Sequence, residues 1–229
     1  MEISIVIPFK DEEKILKSSL EKVLDYFDNR NFEYEVILVD DGSIDGSVKG
    51  IKKLLERSNI NLIRNKENKG KGAAIQRGVL KAKYPLVLFS DADLSTPIDE
   101  IEKLLFYISG NDIVIGSRAL LNELVTESQS FYRIGIGRFG NFLVRKILGL
   151  NLKDTQCGFK LFREPGKLFK KMTCPKWSFD YEILYLAKKN GWKIKEVPVR
   201  WENYTDSKFR SIRDSLGCFI DLIKIKLKC

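Results

Sequence analysis

Two rhythms alternate along the chain. Short stretches rich in apolar residues at 3–8, 34–40, 60–65, 85–90 and 112–118 read as strands. Between them, apolar residues return every three or four positions, as a helix facing a core requires. In residues 12–27, Ile15, Leu16, Leu20, Val23, Leu24 and Phe27 form one such stripe. Helices are likewise expected over 45–57, 69–83 and 97–108. This alternation, with short turns, predicts βαβ units and a mostly parallel, Rossmann-like α/β sheet with flanking helices. The last third is less regular. It reads as a glycine-interrupted helix over 131–150, a strand growing out of 154–164, and a helix over 179–191 closed by Gly191. A strand over 193–201 follows, in which Pro198 favours a sheet edge, and then a final helix over 212–229.

In such a sheet, ligands bind beyond the carboxyl ends of the strands. Polar clusters follow the predicted strands at 8–12, 40–43, 91–93 and 117–118, so the fold should gather them on one edge. In "VLFSDADLSTP", Asp91 and Asp93 flank the small Ala92. Carboxylates this close repel and call for a cation, unless the loop is a wet turn capping the next helix. Asp40 and Asp41, in "DDGS", fit either an acceptor for a base N–H or ribose hydroxyl or a simple capped turn. Lys69 and Lys71, in "NKGKG", either meet phosphate or simply open a helix; the spacing is not that of a Walker loop. Asp180 and Glu182 suit a helix N-terminus as well as a site.

Composition narrows the chemistry. The 229 residues contain no histidine, which excludes Ser-His and Cys-His nucleophile pairs and His-ligated metals. A metal must then be held by oxygen, which favours Mg²⁺ or Mn²⁺. Cys157, Cys174, Cys218 and Cys229 are scattered without C-x-x-C spacing, so zinc is not expected, and reduced thiols in a cytoplasmic setting are. No stretch of 18 apolar residues and no secretory signal pattern is found.

The net charge of +9 is lopsided: residues 1–129 carry 18 Lys and Arg against 22 Asp and Glu, residues 130–229 carry 22 against 9. A one-sided basic surface suits a polyanion, an anionic membrane or a heavily solvated face. No RRM, KH or zinc-finger pattern points to nucleic acid. Ile212, Leu216, Phe219, Ile220, Ile223 and Leu227 recur at helical spacing near Lys224, Lys226 and Lys228. Such a basic amphipathic helix fits a membrane interface, the domain itself or a second copy. The organisation expected is a domain over 1–210 with this helix, 211–229, appended.

The segments "SIVIPFKDEE", "VILVDDGS", "NKGKGAAIQRGVLKAK", "SDADLSTPIDEIEKL", "GSR", "DTQCGFKLF" and "WSFDYEILYLAKKNGWKIKEVPVRW" stand in a telling order. It resembles that of family-two GT-A glycosyltransferases, and among them the branch that glucosylates dolichyl phosphate. "DTQCGFKLF" with "FDYE" is the most specific part. The resemblance implies a GT-A fold and inverting transfer of a sugar, UDP-glucose being the donor implied, to a dolichyl (polyprenyl) phosphate. The enzyme would work peripherally on the cytoplasmic face of a membrane.

By the same resemblance Pro8, Glu12 and Asp40 would contact base and ribose, together with Asp41, Lys71, Ala92 and Gln156 on the nucleotide sugar. Asp91 and Asp93 would hold donor and metal. Arg118 and Lys208 would meet phosphates. Asp154, Gln156, Lys160, Asp180 and Glu182 would line the sugar or acceptor site, with Asp154 and Asp180 both candidates for a weak base. Two departures stand out: Lys10 replaces a usual aromatic, and Glu202 stands where mannosyl-type relatives carry Arg, six residues before Lys208. GDP-mannose, UDP-N-acetylglucosamine and a non-catalytic nucleotide-sugar module remain the alternatives.

Overall fold

The computed structural model describes residues 1–120, 131–202 and 211–228. The apolar runs form β1 (Glu2–Phe9), β2 (Glu33–Asp40), β3 (Ile60–Arg64), β4 (Leu86–Ser90) and β5 (Ile113–Ser117), joined by β6 (Phe159–Arg163) and β7 (Ile194–Pro198). They lie in one sheet in the order β3-β2-β1-β4-β6-β5-β7. β1 pairs in parallel with β2 and β4, β2 with β3, and β5 with β7. Only β6 runs the other way, antiparallel to both β4 and β5. The carboxyl ends of the other six strands, and the amino end of β6, therefore share one edge. β7 closes the sheet with Pro198 at its end, the border place expected for a residue that lacks an N–H.

Helices cover both faces, because each strand alternates its side chains between two apolar cores. One core joins Ile3, Ile5 and Ile7, Val36 and Leu38, and Leu86 and Leu88 to α1 (Leu16–Asp28) and α4 (Ile101–Ile108). The other joins Val6, Ile37, Val39, Val87 and Phe89 to α3 (Lys71–Val79), α5 (Phe131–Leu148), α6 (Gly166–Lys170) and α7 (Phe179–Lys189). α8 (Ser211–Lys228) adds Leu222 and Ile225 to that second core. Of the predicted stripe, Leu16, Leu20, Val23, Leu24 and Phe27 are buried in α1, while Ile15 stands just before the helix and is half-buried.

Two helices differ from the periodicity. α1 starts at Leu16 because the residues before it are tied to the turn after β2. Asp11 N–H donates to Ser43 Oγ (2.9 Å), Glu12 N–H to Ser47 Oγ (2.8 Å) and Glu13 N–H to Asp45 Oδ2 (3.0 Å). The helix expected over 45–57 is only α2 (Ser47–Gly50), with a separate 3-10 turn at Leu54–Glu56. Gly46 and Gly50 lower its propensity, and the hydroxyl of Ser47 is spent on Asp45 and the Glu12 amide.

α8 is apolar on more than one side. Leu222 and Ile225 are buried, while Phe219, Ile220, Ile223 and Leu227 are 41%, 47%, 43% and 80% exposed. Tyr181 Oη donates to the Cys218 carbonyl (2.7 Å) and Ser178 Oγ to Asp221 Oδ2 (2.8 Å), which fixes which face looks outward. Among the described residues, no helix is long and apolar enough to cross a membrane.

Candidate active site

The polar clusters do gather on the shared edge, and three groups of side chains occupy it. The first lies after β1 and β2. Pro8 is buried near the end of β1. Phe9 is level with Asp40 in the parallel register, so the residues after both strands emerge side by side. Asp40 is fully buried; its carboxylate accepts from Ser43 N–H (2.8 Å) and from Arg64 Nε (2.9 Å). Asp41 accepts from Asn65 Nδ2 (2.8 Å) and from the backbone N–H groups of Lys69 (2.9 Å) and Gly70 (2.8 Å). Asp41 thus shapes the loop that leads into α3. Glu12 is half-buried beside them, and the Lys69 side chain stays exposed.

The second group is built on β4. Asp91 and Asp93 follow its last residue, and Ala92 between them is buried. Gly158, just before β6, makes room for Asp91: a Cβ there would lie 1.9 Å from Asp91 Oδ2. The amide of Asp91 donates to the Gly158 carbonyl (3.2 Å). The amide of Ser95 donates to Asp93 Oδ1 (2.9 Å), and Leu94 takes a left-handed φ of 49° to allow the turn. Burial and then the charge of Asp91 push the pKa of Asp93 up.

Lys71, the first residue of α3, places its ammonium 2.6 Å from Asp91 Oδ1. It lies 5.4 Å from the ring centre of Trp177 and 5.6 Å from that of Phe89. Burial works against this ammonium, but the fields of Asp91 and Asp180 outweigh it and raise its pKa. Lys160, wholly buried in β6 and level with Phe89 and Ile115, donates to the Cys157 carbonyl (2.5 Å) and to Asp180 on α7. Burial raises the pKa of Asp180, with Lys160 and Lys71 opposing. Lys71, Asp91, Asp93, Lys160 and Asp180 thus form one charged patch under the rim.

The third group joins β5 to the turn before β6. Arg118 grips Asp154 with a fork, Nε to Oδ2 at 2.7 Å and Nη2 to Oδ1 at 2.8 Å, and its backbone N–H adds a third bond at 3.1 Å. Glu196 on β7 orients the turn by accepting the amides of Lys153 (2.8 Å) and Asp154 (2.7 Å). Burial alone would raise the pKa of Asp154; Arg118 reverses that and holds it below the ordinary carboxylate value. Burial likewise opposes Arg118, and Asp154 leaves its pKa raised. Gln156 is exposed on the same turn.

Of the remaining expected site residues, Glu182 is fully buried and its carboxylate accepts Thr173 N–H (2.9 Å), Thr173 Oγ1 (2.6 Å) and Cys174 N–H (2.7 Å). It braces the segment ahead of α7. Lys208 lies outside the described residues. Gly158, Trp177 and Glu196 carry site geometry that periodicity does not flag. The extra signal for Gly158 is its place in "CGFK", directly before a strand.

Among the described residues two buried side-chain atoms make no hydrogen bond, Asp91 Oδ1 and Ser117 Oγ, and both sit at carboxyl ends of strands. Asp91 Oδ1 is instead ion-paired with the Lys71 ammonium at 2.6 Å. Two carboxylates side by side at the end of β4, with the charge of one raising the pKa of the other, fit a hard divalent cation. Among the described residues no cluster of three or more acidic, His or Cys side chains could cage one. That suits Mg²⁺ or Mn²⁺, which take one or two protein carboxylates and fill the remaining positions with water and substrate phosphate.

Residues 4–166 match the model of the family described as "Glycosyl transferase family 2". The chain is a family 2 glycosyltransferase. Its relatives include the dolichyl-phosphate beta-glucosyltransferase of Dictyostelium discoideum, 35% identical over 99% of this chain and 74% of that protein. The Drosophila melanogaster protein of that name is 36% identical over 98% and 74%, and the Homo sapiens one 33% identical over 99% and 75%. The glycosyltransferase therefore belongs to the dolichyl-phosphate β-glucosyltransferase family.

Solved structures agree on the fold. Mannosyl-3-phosphoglycerate synthase from Rubrobacter xylanophilus superposes with a TM-score of 0.75 at 14% identity, covering 100% of this chain and 74% of that one. Glucosyl-3-phosphoglycerate synthase from Mycobacterium tuberculosis, in complex with Mn²⁺ and UDP-glucose, gives 0.69 at 16% identity, covering 98% and 78%. The expected GT-A α/β architecture of this glycosyltransferase is borne out.

Proposed function

We propose that this glycosyltransferase moves glucose from UDP-glucose to dolichyl (polyprenyl) phosphate with inversion, using Mg²⁺ or Mn²⁺. The observation that carries the reading is identity of 33–36% along nearly the whole chain to proteins named for that reaction. The rim supports it. Asp91 and Asp93 would hold the cation, which when bound neutralises the charge building on the departing diphosphate. Lys71 and Arg118 add fixed positive charge beside it. The β1 and β2 turns, with Pro8, Glu12, Asp40 and Asp41, shape the place for base and ribose. Gln156 offers an exposed amide where sugar or acceptor arrives.

The acceptor needs little help with its proton. A phosphate monoester has a second pKa near ~6, so it is largely dianionic at neutral pH. Placement and charge compensation then matter more than a strong base. This explains how a chain without histidine serves. Asp154 is a poor base because Arg118 occupies both its oxygens. Asp180, buried and with a raised pKa, is the acid left to orient sugar hydroxyls or accept a proton. The exposed apolar face of α8 supports work at a membrane surface, which the proposal places on the cytoplasmic side.

The test is a donor panel. The purified protein with labelled UDP-glucose, dolichyl phosphate and Mg²⁺ or Mn²⁺ should yield a lipid-extractable sugar, and EDTA should abolish it. GDP-mannose and UDP-N-acetylglucosamine should give little. Preference for another donor overturns the glucosyl assignment. UDP-glucose binding with no transfer to any lipid phosphate would make the chain a binding module.

A further inference from the structure

Residues 199–202 cross the rim as a short strap. At one end, Val199 N–H donates to the Ser117 carbonyl (3.3 Å) at the close of β5. At the other, Glu202 N–H donates to the Ser95 carbonyl (2.7 Å) in the turn that follows Asp91 and Asp93. Between them Arg200 is tied down, by Nε to Glu100 Oε1 (2.5 Å) and by Nη2 to Asp99. The strap links the turn after β4 to the Arg118–Asp154 fork, and its anchors on both sides hold Trp201 in place.

Trp201 is half-buried, and the Arg118 guanidinium lies 5.6 Å from its ring centre. Arg118 is not used up by Asp154. The fork takes Nε and Nη2 and leaves Nη1 outside it, and 36% of the side chain stays exposed. The charge of Asp91 reaches Arg118, so this cation stands in the field of the proposed donor site. A partly exposed cation and a partly exposed ring therefore sit side by side on the rim. A ligand that is only an anion has no use for the ring, and one that is only apolar has none for the guanidinium. A phosphate bonded directly to a hydrocarbon uses both. The separation is short enough that the carbons nearest the phosphate reach the ring.

We infer that Arg118 and Trp201 together read the acceptor: the guanidinium takes the phosphate, and the indole packs against the first isoprene unit joined to it. Trp201 is then a specificity residue, selecting prenyl phosphates over phosphate monoesters of polar alcohols. The inference rests on the reading above of a polyprenyl phosphate acceptor.

KM values of the full chain test this, with UDP-glucose as donor and citronellyl phosphate, a short water-soluble prenyl phosphate, as acceptor. Methyl phosphate, which offers the anion without a chain, is titrated as a competitor of the acceptor. Trp201→Ala should raise KM for citronellyl phosphate about tenfold, the size expected for one lost apolar contact, and leave KM for UDP-glucose and the inhibition constant of methyl phosphate within about twofold of wild type. Trp201→Phe should recover most of the loss. Trp201→Gln should act like Ala, and it carries the test if Ala does not fold. An unchanged KM for citronellyl phosphate overturns the inference. A raised KM for UDP-glucose in its place would assign the ring to the donor sugar, and an equal weakening of methyl phosphate would make it only a support for Arg118. Either result overturns the inference while leaving the transfer reaction standing. No transfer by wild type to any prenyl phosphate would remove the acceptor reading and this one together.

Discussion

Gly158 shows how one missing side chain sets the geometry of a charged rim. It is not there for an unusual backbone; it is there because the Asp91 carboxylate fills the space of its Cβ. Gly158→Ala forces that carboxylate to rotate, and a carboxylate at the end of a short side chain turns without disturbing the strands. The expected result is a protein that melts within a few degrees of wild type but turns over at least about tenfold more slowly, as for other residues that orient a ligand. Turnover with UDP-glucose and a thermal melt check it. Full activity would mean that the position of Asp91 does not matter.

The Arg118–Asp154 fork makes a separate prediction about pH. The pKa of Asp154 is lowered in the fold, so the stability it contributes is fully present above the unfolded carboxylate value and is lost as pH falls through the lower folded value. Asp154→Asn should cost about 2 kcal/mol at neutral pH, below the usual figure for breaking a buried pair because Arg118 keeps 36% of its side chain exposed. The gap between variant and wild type should start to narrow below about pH 4, where the carboxylate of the unfolded chain takes up its proton, and close only at the lower pH where the folded carboxylate does. Thermal melts from pH 7 to pH 2.5 measure it; a gap that is constant with pH refutes it.

At the level of elements, the strands were legible because each buried run is short and bounded by turn residues. The edge that gathers the polar clusters followed from strand direction alone. β6 was legible as a strand but its direction was not, since periodicity carries no information on polarity. That reversal is what brings the turn carrying Asp154, Gln156 and Gly158 to the same rim as Asp91. Lys160 was the harder residue. In "GFKLF" a lysine reads as the outward side of a strand, yet β6 lies between β4 and β5 with helices over both faces, so the side chain is sealed against Asp180. Asp41 and Glu182 illustrate the converse. As letters they look like ligand-binding acids; in the fold their oxygens hold the loop before α3 and the segment before α7. Sequence supplies the chemistry of a carboxylate, but only packing decides which donors reach it.

The half of the chain that carries the basic excess also carries, on α8, a run of exposed apolar side chains. Residues 130–229 carry 22 basic against 9 acidic side chains, and α8 within them exposes Phe219, Ile220, Ile223 and Leu227 beside the exposed Lys224, Lys226 and Lys228. Leu222 and Ile225 tie that helix to the core, so the outward face is presented by a docked element. On an anionic surface each nearby lysine adds about 1 kcal/mol, screened by salt, whereas the apolar side chains contribute independently of it. Vesicles containing phosphatidylserine should therefore co-sediment the protein at low salt and progressively less as salt rises. Replacing Phe219 and Ile223 together by Ser should lower binding about tenfold or more at every salt concentration, because each removes roughly 1 kcal/mol of partly buried apolar contact. UDP binding should be unchanged in that variant, since both side chains are exposed on the surface of α8. Absence of co-sedimentation at low salt would refute the membrane reading. Concentration-dependent dimerisation that the same pair of substitutions abolishes would reassign the face to a second copy of the chain.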